Sequence, residues 1–498
     1  MGSLSKEIKI SLFSIILYYT CFLFQKSWIG KDSAVYALLG RALAQGNGYF
    51  NYFFSIPSPH TLYPPGYPFI LAAVIRIFGE NLLFLRMSSI AFSGLSLVIL
   101  LKILSSYLEE KELFFTFLLF ALNPLFLNFT HQIYSEAAYI LFSWLGIYIF
   151  LNNPDILSAK KTIWGALAIL AGLYCRAIGI SLYCSLLFYL LIKRRYRQVI
   201  LVSFLALIIL PWIIYMLKNS CGYSQVFMMK DVYNPLAGEI KLIDIALRLF
   251  SNIKYYTSKV VSDLLFYPYF KEVTFGYPFF PLKIFLSLLF SFLLLVGFYF
   301  TAAKNIGIIE IYILFYMIIL LFHSYHDERF LLPIYPFLLR YLLVALKLPK
   351  FKFTKTAIIL VLLFALIPEN INMIKNLVKK KDFLKPAYSE YLSWIKNNTR
   401  PDSIIMSGDS AGIYYYTERR SAFFNLGTDY AELLAKIREK RVNFILIEKD
   451  SGLTIHENKI ISFDKRINSL LEKYPAYFSL VYQTSVKPEV SIYRVNFQ

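Results

Sequence analysis

Long apolar runs separated by short polar breaks dominate the chain, and the length of each run decides what it can be. A helix needs about 20 predominantly apolar residues, sometimes about 17, to cross a bilayer core. By that measure there are about eleven candidate spans, centred near Ile16, Gly94, Leu119, Leu145, Leu170, Leu186, Leu207, Leu293, Ile318, Leu338 and Leu362. The runs at Leu170 and Leu186 are short and broken by Arg176 and Gly179, so the expected total is about eleven to thirteen. The first run, Ile8 to Phe24, is followed by no small-residue cleavage site and reads as a retained helix, not a signal peptide.

From about Lys375 onward the pattern changes. Strand-like runs (Ser403–Ser407, Asn443–Ile447, Phe478–Tyr482, Val490–Val495) alternate with helical patterns (Tyr388–Asn397, Tyr430–Lys440, Asp464–Lys473). The expected architecture is a mainly α, polytopic membrane helix bundle over residues 1–372, with interfacial helices in its first outer loop. A small soluble α/β domain follows over residues 373–498.

Composition agrees. The chain is 58% hydrophobic and 16% charged, where a soluble protein is about a quarter charged. Mean hydropathy is +0.56. The net charge of +20 would suggest nucleic acid in a soluble protein, but here Lys and Arg cluster between apolar runs, and no nucleic-acid partner is expected. The clusters are Lys6 and Lys9, Lys102 and Lys111, Lys160 and Lys161, Lys193 to Arg197, Lys304, and Lys347 to Lys355. With eleven spans they share one side, which the positive-inside rule makes cytoplasmic. The N-terminus then lies in the cytoplasm and the tail outside it, in a plasma (inner) membrane. Cys21, Cys175, Cys184 and Cys221 lie in or near apolar segments without metal-ligand spacing and read as small hydrophobes.

The polar residues that remain gather on the non-cytoplasmic side. After the first span comes Gly30-Lys31-Asp32-Ser33-Ala34-Val35-Tyr36 and a helical pattern to Gln45, closed by Gly46-Asn47-Gly48. Val35, Leu38, Leu39, Ala42 and Leu43 share one face, as in a helix lying in the membrane interface. Asp32 precedes that helix and reads either as its N-cap or as a general base at the membrane surface. Tyr63-Pro64-Pro65-Gly66-Tyr67-Pro68 forms a rigid corner that would fix Tyr63 or Tyr67 near a substrate. In the short loop ending His131-Gln132-Ile133-Tyr134-Ser135-Glu136, Ser135 is a candidate cap and Glu136 suits the first turn of the next span. An acid at the rim of an apolar span is also a functional candidate. Arg176 would snorkel to the headgroups or bind a lipid phosphate. His323, His326, Asp327, Glu328 and Arg329 crowd one turn before Tyr335. This is a conceivable metal site, though an anion site built on Arg329 fits better.

Together these motifs resemble the polyprenyl-phosphate-sugar-dependent glycosyltransferases of the type C membrane fold. That group includes protein O-mannosyltransferases and lipid A aminoarabinose transferases. The resemblance rests on Asp32 with Tyr36, on Tyr63 to Pro68, on Tyr134-Ser135-Glu136 and on Glu328 to Pro336, and spans about Ile8 to Leu346. It implies a catalytic Asp32, with Glu136 as the second acidic residue. Arg176 and Arg329 would hold the donor phosphate, with Tyr36, Tyr63, Tyr67, His131, His326, Asp327 and Tyr335 as further substrate contacts. The implied donor is a polyprenyl-phosphate sugar, and the acceptor a lipid, glycan or protein hydroxyl. No cofactor is implied and no metal is required. The aminoarabinose transferases carry a lysine where this chain has Tyr63, which favours the broader group. The rival classes are a transporter or flippase for a lipid-linked sugar, a polymerase or ligase using a diphosphate-linked oligosaccharide, and a non-catalytic scaffold.

Overall fold

The computed structural model describes residues 5–24, 28–151, 158–219, 222–232, 238–266, 278–348, 355–378, 386–422, 429–449, 455–456, 459–460, 463–484 and 489–497. Cys221, Lys350 and Lys352 lie outside them. The protein is a mainly α membrane bundle followed by a small sheet-containing tail. Among the described residues five helices are long and apolar enough to cross a membrane: Lys6–Phe24, Leu82–Leu104, Tyr196–Lys218, Phe280–Lys304 and Lys355–Val378. The candidate around Leu119 is instead a pair, Glu110–Ala121 and Pro124–Thr130, bent by 62°. Pro124 begins the second piece and Asn123 caps it, its side chain accepting from Leu125 N–H, so the break is written in the sequence. Gly66–Phe78, Ser135–Leu151, Ala177–Ile192, Ile308–Phe322 and Tyr335–Leu346 are shorter apolar helices.

The bundle's outward faces remain apolar. Phe285, Phe292 and Leu295 stand exposed on the helix Phe280–Lys304, which suits lipid and would not suit water. Charges inside the bundle are matched: Lys283 pairs with Asp263 at 2.7 Å, and Arg340 with Glu310 at 3.1 Å. An unpaired charge at such depth would be costly.

The loop after the first span carries a helix, Lys31–Ala44, and a two-stranded ribbon of β1 (Phe50–Asn51) and β2 (Ser58–Pro59). The helix ends where expected, with Gly46 in the left-handed region (φ 78°). It does not rest on a single apolar face, however. Ser33, Ala34, Tyr36, Ala37 and Gly40 are buried as well, because a second helix packs on its other side. A Cβ on Gly40 would lie 2.8 Å from Leu71 Cβ.

In the tail, β3 (Ile405–Met406), β4 (Ser421–Ala422), β5 (Phe444–Glu448), β8 (Phe478–Gln483) and β9 (Val490–Val495) form a sheet in the order β4-β3-β5-β9-β8. β3 runs parallel to β4 and β5, while β9 is antiparallel to β5 and β8. A short ribbon joins β6 (Ile455–His456) to β7 (Lys459–Ile460). Helices Pro386–Asn398, Tyr430–Glu439 and Phe463–Lys473 fall on the three helical patterns. The helix Ser410–Thr417 was not anticipated; it packs on the first-loop helix, with Arg41 over the Tyr415 ring at 5.5 Å.

Candidate active site

A cavity of about 340 Å³ opens where loops at the ends of the apolar helices meet, and Asp32, Tyr36, Tyr63, Glu136, Arg176, His326, Asp327 and Arg329 line it. Residues separated by up to 297 positions meet there.

Asp32 is inside the first-loop helix, not ahead of it. Gly30 holds the N-cap position with extended backbone and Lys31 begins the helix, which corrects the reading of Asp32 as the cap. Its carboxylate points into the cavity. The Tyr63 hydroxyl donates to Oδ1 at 2.7 Å and Arg329 Nη2 donates to Oδ2 at 3.2 Å. Burial, and then the Asp32 charge, push the Tyr63 hydroxyl well above its ordinary value, so it stays protonated and remains a donor.

The corner at Tyr63 is fixed from behind. The Tyr63 N–H donates to His60 Nε2 at 2.9 Å, and His60 Nδ1 lies 2.7 Å from Asn51 Oδ1. Burial lowers the His60 imidazole to about 3, so the ring is neutral; Nδ1 carries the proton and Nε2 accepts. Gly66 follows because the chain passes against another helix end, where a Cβ would sit 2.7 Å from the Tyr174 backbone.

The second acid, Glu136, sits in the first turn of the helix Ser135–Leu151 and is buried. Arg176 forms a close ion pair with it, and Arg329 Nη1 is 3.7 Å away. Arg176 therefore turns inward and does not snorkel. Ser135 does not act as the cap; it is the first residue of that helix, and its Oγ lies 2.9 Å from the Tyr36 hydroxyl. Arg329 comes from a 3-10 turn capped by Asp327, which accepts its N–H at 2.9 Å and faces its Nε at 3.3 Å. Burial alone would lower Arg329, but Glu136, Asp32 and Asp327 outweigh it and hold the guanidinium above its usual value. Arg176 is raised by Glu136 against burial in the same way. Tyr134 and Phe330 place their rings 5.7 and 5.5 Å from the Arg329 guanidinium.

Three of the residues expected to contact substrate stand outside the cavity. Tyr67 is buried behind Tyr36, rings 5.2 Å apart, with its hydroxyl 3.2 Å from Ser89 Oγ. His131 stacks on Phe22 at 4.9 Å and contacts the Leu127 carbonyl. Tyr335 donates to the Leu264 carbonyl within the bundle. Each is a packing residue. Sequence reasoning missed Tyr223, Tyr316 and Tyr325 in the lining, and His323, singled out there only with its neighbours as a conceivable metal or anion site, lines it too. Tyr223 and His323 meet at 3.0 Å, a pairing with no local signal. Among the described residues no group of three His, Cys, Asp or Glu side chains could hold a metal ion. The cavity offers two arginines, three carboxylates (Asp32, Glu136 and Asp327) and hydroxyl donors, a set suited to an anionic group beside a proton acceptor.

A family model for dolichyl-phosphate-mannose-protein mannosyltransferases matches residues 63–219. No curated protein matches the chain. Among solved structures, ArnT from Cupriavidus metallidurans bound to undecaprenyl phosphate is similar over 97% of each chain, at TM-score 0.53 and 13% identity. The Archaeoglobus fulgidus oligosaccharyltransferase tethered with an acceptor peptide gives TM-score 0.57 at 13% identity, covering 99% of this chain and 74% of that one. The chain has the type C membrane glycosyltransferase fold. In this type C fold protein, the match to ArnT runs through bundle and tail alike.

Proposed function

We propose that this protein is a membrane glycosyltransferase that moves a sugar from a polyprenyl-phosphate donor to a hydroxyl of a lipid, glycan or protein on the extracytoplasmic face. Asp32 is the general base. The supporting observation is the Asp32 carboxylate held between Tyr63 and Arg329 at the wall of a cavity that also contains the Glu136–Arg176 pair. The likeness in fold to a transferase bound to undecaprenyl phosphate supports a lipid-phosphate donor.

The chemistry follows from the charges. The donor phosphate sits against Arg329 and Arg176, which bind phosphate in a fork geometry. Taking Arg329 from Asp32 leaves Oδ2 free to accept the acceptor's proton. The acceptor oxygen attacks the anomeric carbon, the bond from that carbon to the phosphate oxygen breaks, and the arginines stabilise the departing phosphate. Glu136 stays paired with Arg176 and keeps it in place. Residues 1–372 form the membrane unit in this account and 373–498 the extracytoplasmic one, in a plasma membrane whose cytoplasmic side carries the basic loops.

The test is incubation of purified protein in vesicles with a radiolabelled polyprenyl-phosphate sugar and candidate acceptors. Label in a new covalent product supports transfer. Label crossing the vesicle with its bond intact supports a flippase.

A further inference from the structure

The N-terminus of the first-loop helix is capped from the far end of the chain. Asp409 Oδ1 accepts the Lys31 N–H at 3.0 Å, and its Oδ2 accepts the Trp28 indole N–H at 3.0 Å. The same carboxylate caps its own helix, taking the Gly412 N–H at 3.0 Å. Helix starts leave backbone donors without partners, and a short acidic side chain close by is the usual acceptor. Asp32, one turn-position away, is the local candidate, yet its carboxylate is turned to Tyr63 and Arg329.

We propose that Asp409 is a positioning residue for Asp32: it supplies the cap that Asp32 would otherwise provide and so keeps the Asp32 carboxylate in the cavity. This rests on the reading of Asp32 as the base.

Two further observations support it. Lys31, immediately before Asp32, has left-handed backbone (φ 48°), a region that a lysine enters only when its surroundings impose it. The Asp409 contact falls on that residue's own N–H. Gly30 leaves the room for it, since a Cβ there would lie 2.0 Å from Asp409 Oδ2 and 2.1 Å from Trp28 Nε1. The tail also grips the loop elsewhere. Tyr416 stacks on Trp28 at 4.7 Å, and its hydroxyl oxygen accepts the Ile29 N–H at 3.0 Å. The Ser55 and Ser421 N–H groups donate to the Ser421 and Phe53 carbonyls at 3.0 and 2.8 Å. The tail is therefore part of what sets the geometry of the base.

The experiment compares full-length wild type, Asp409→Ala, Asp409→Asn and Asp409→Ala/Lys31→Gly for transfer kinetics and for amide exchange across 28–44. Leu433→Ala, in the tail core, is the control for general loss of tail stability. Asp409→Ala should lower kcat about tenfold, with donor KM changed less than about twofold, and raise exchange in the first helical turn. Asn keeps one acceptor oxygen and should retain most activity. Lys31→Gly should restore part of the loss, because glycine adopts positive φ without strain. An unchanged kcat and exchange in Asp409→Ala overturns the proposal, as does an equal kcat loss in Leu433→Ala. If wild type transfers no sugar, the base assignment fails separately, and the exchange arm still tests the cap.

Discussion

Arg329 Nη2 lies 3.2 Å from Asp32 Oδ2, so in the proposed reaction one guanidinium serves both the base and the donor phosphate. In that reaction donor binding and unmasking of the base are one event. Arg329→Ala should raise donor KM and lower kcat together, for a loss in kcat/KM of about 100- to 1,000-fold. Lysine cannot reproduce the fork and should recover little of it. Steady-state kinetics over a donor series reads both; an unchanged donor KM removes Arg329 from the phosphate site.

Glu136 is buried against Arg176. Glu136→Gln leaves that arginine without its anion and should destabilise the protein by about 3–5 kcal/mol. The double variant Glu136→Gln/Arg176→Gln should recover a large part of that loss, a coupling that a thermal-unfolding double-mutant cycle in detergent measures. Additive losses would mean that the pair does not act as a unit.

A pH effect follows from His60, whose imidazole burial lowers from 6.5 to about 3. A depressed histidine stabilises the fold fully above its unfolded value. That contribution is lost as pH falls from about 6.5 toward 3, at up to about 1.4 kcal/mol per pH unit. His323, also lowered by burial, acts with the same sign. His60→Gln should flatten its share of the decline; a wild-type slope in the variant would place the acid sensitivity elsewhere.

Gly66 sits where a Cβ would meet the Tyr174 backbone at 2.7 Å. Because backbone cannot swing aside as a side-chain tip can, Gly66→Ala should cost about 1–3 kcal/mol. It should also reduce transfer by moving Tyr63 away from Asp32. Unfolding midpoints and kcat measured together check both.

How much of this was legible in the sequence depended on how local each cause was. Four of the tail's strands, β3, β5, β8 and β9, and three of its helices fall on the runs that hydrophobic periodicity marks, whereas the short β4, β6 and β7 do not. Asp32, Tyr63, Glu136, Arg176 and Arg329 stand out as polar residues at the ends of apolar runs, and the structure brings them into one cavity. The Asp32 cap was misread because its replacement, Asp409, lies 378 positions from Lys31, and no local pattern connects them. Tyr67, His131 and Tyr335 looked like site residues by proximity in sequence, yet rotation about their helices or loops turns them into the packing. His60 carried a usable signal, a histidine three residues ahead of a fixed proline corner.

In the proposed reaction Asp32 removes the acceptor's proton. Asparagine keeps the size of the side chain and an oxygen for Tyr63 but cannot take that proton. The most direct measurement is transfer of label from a polyprenyl-phosphate sugar by purified Asp32→Asn, beside its unfolding midpoint. Asp32→Asn should lose transfer by at least about a hundredfold with folding retained. Transfer at near the wild-type rate would contradict it.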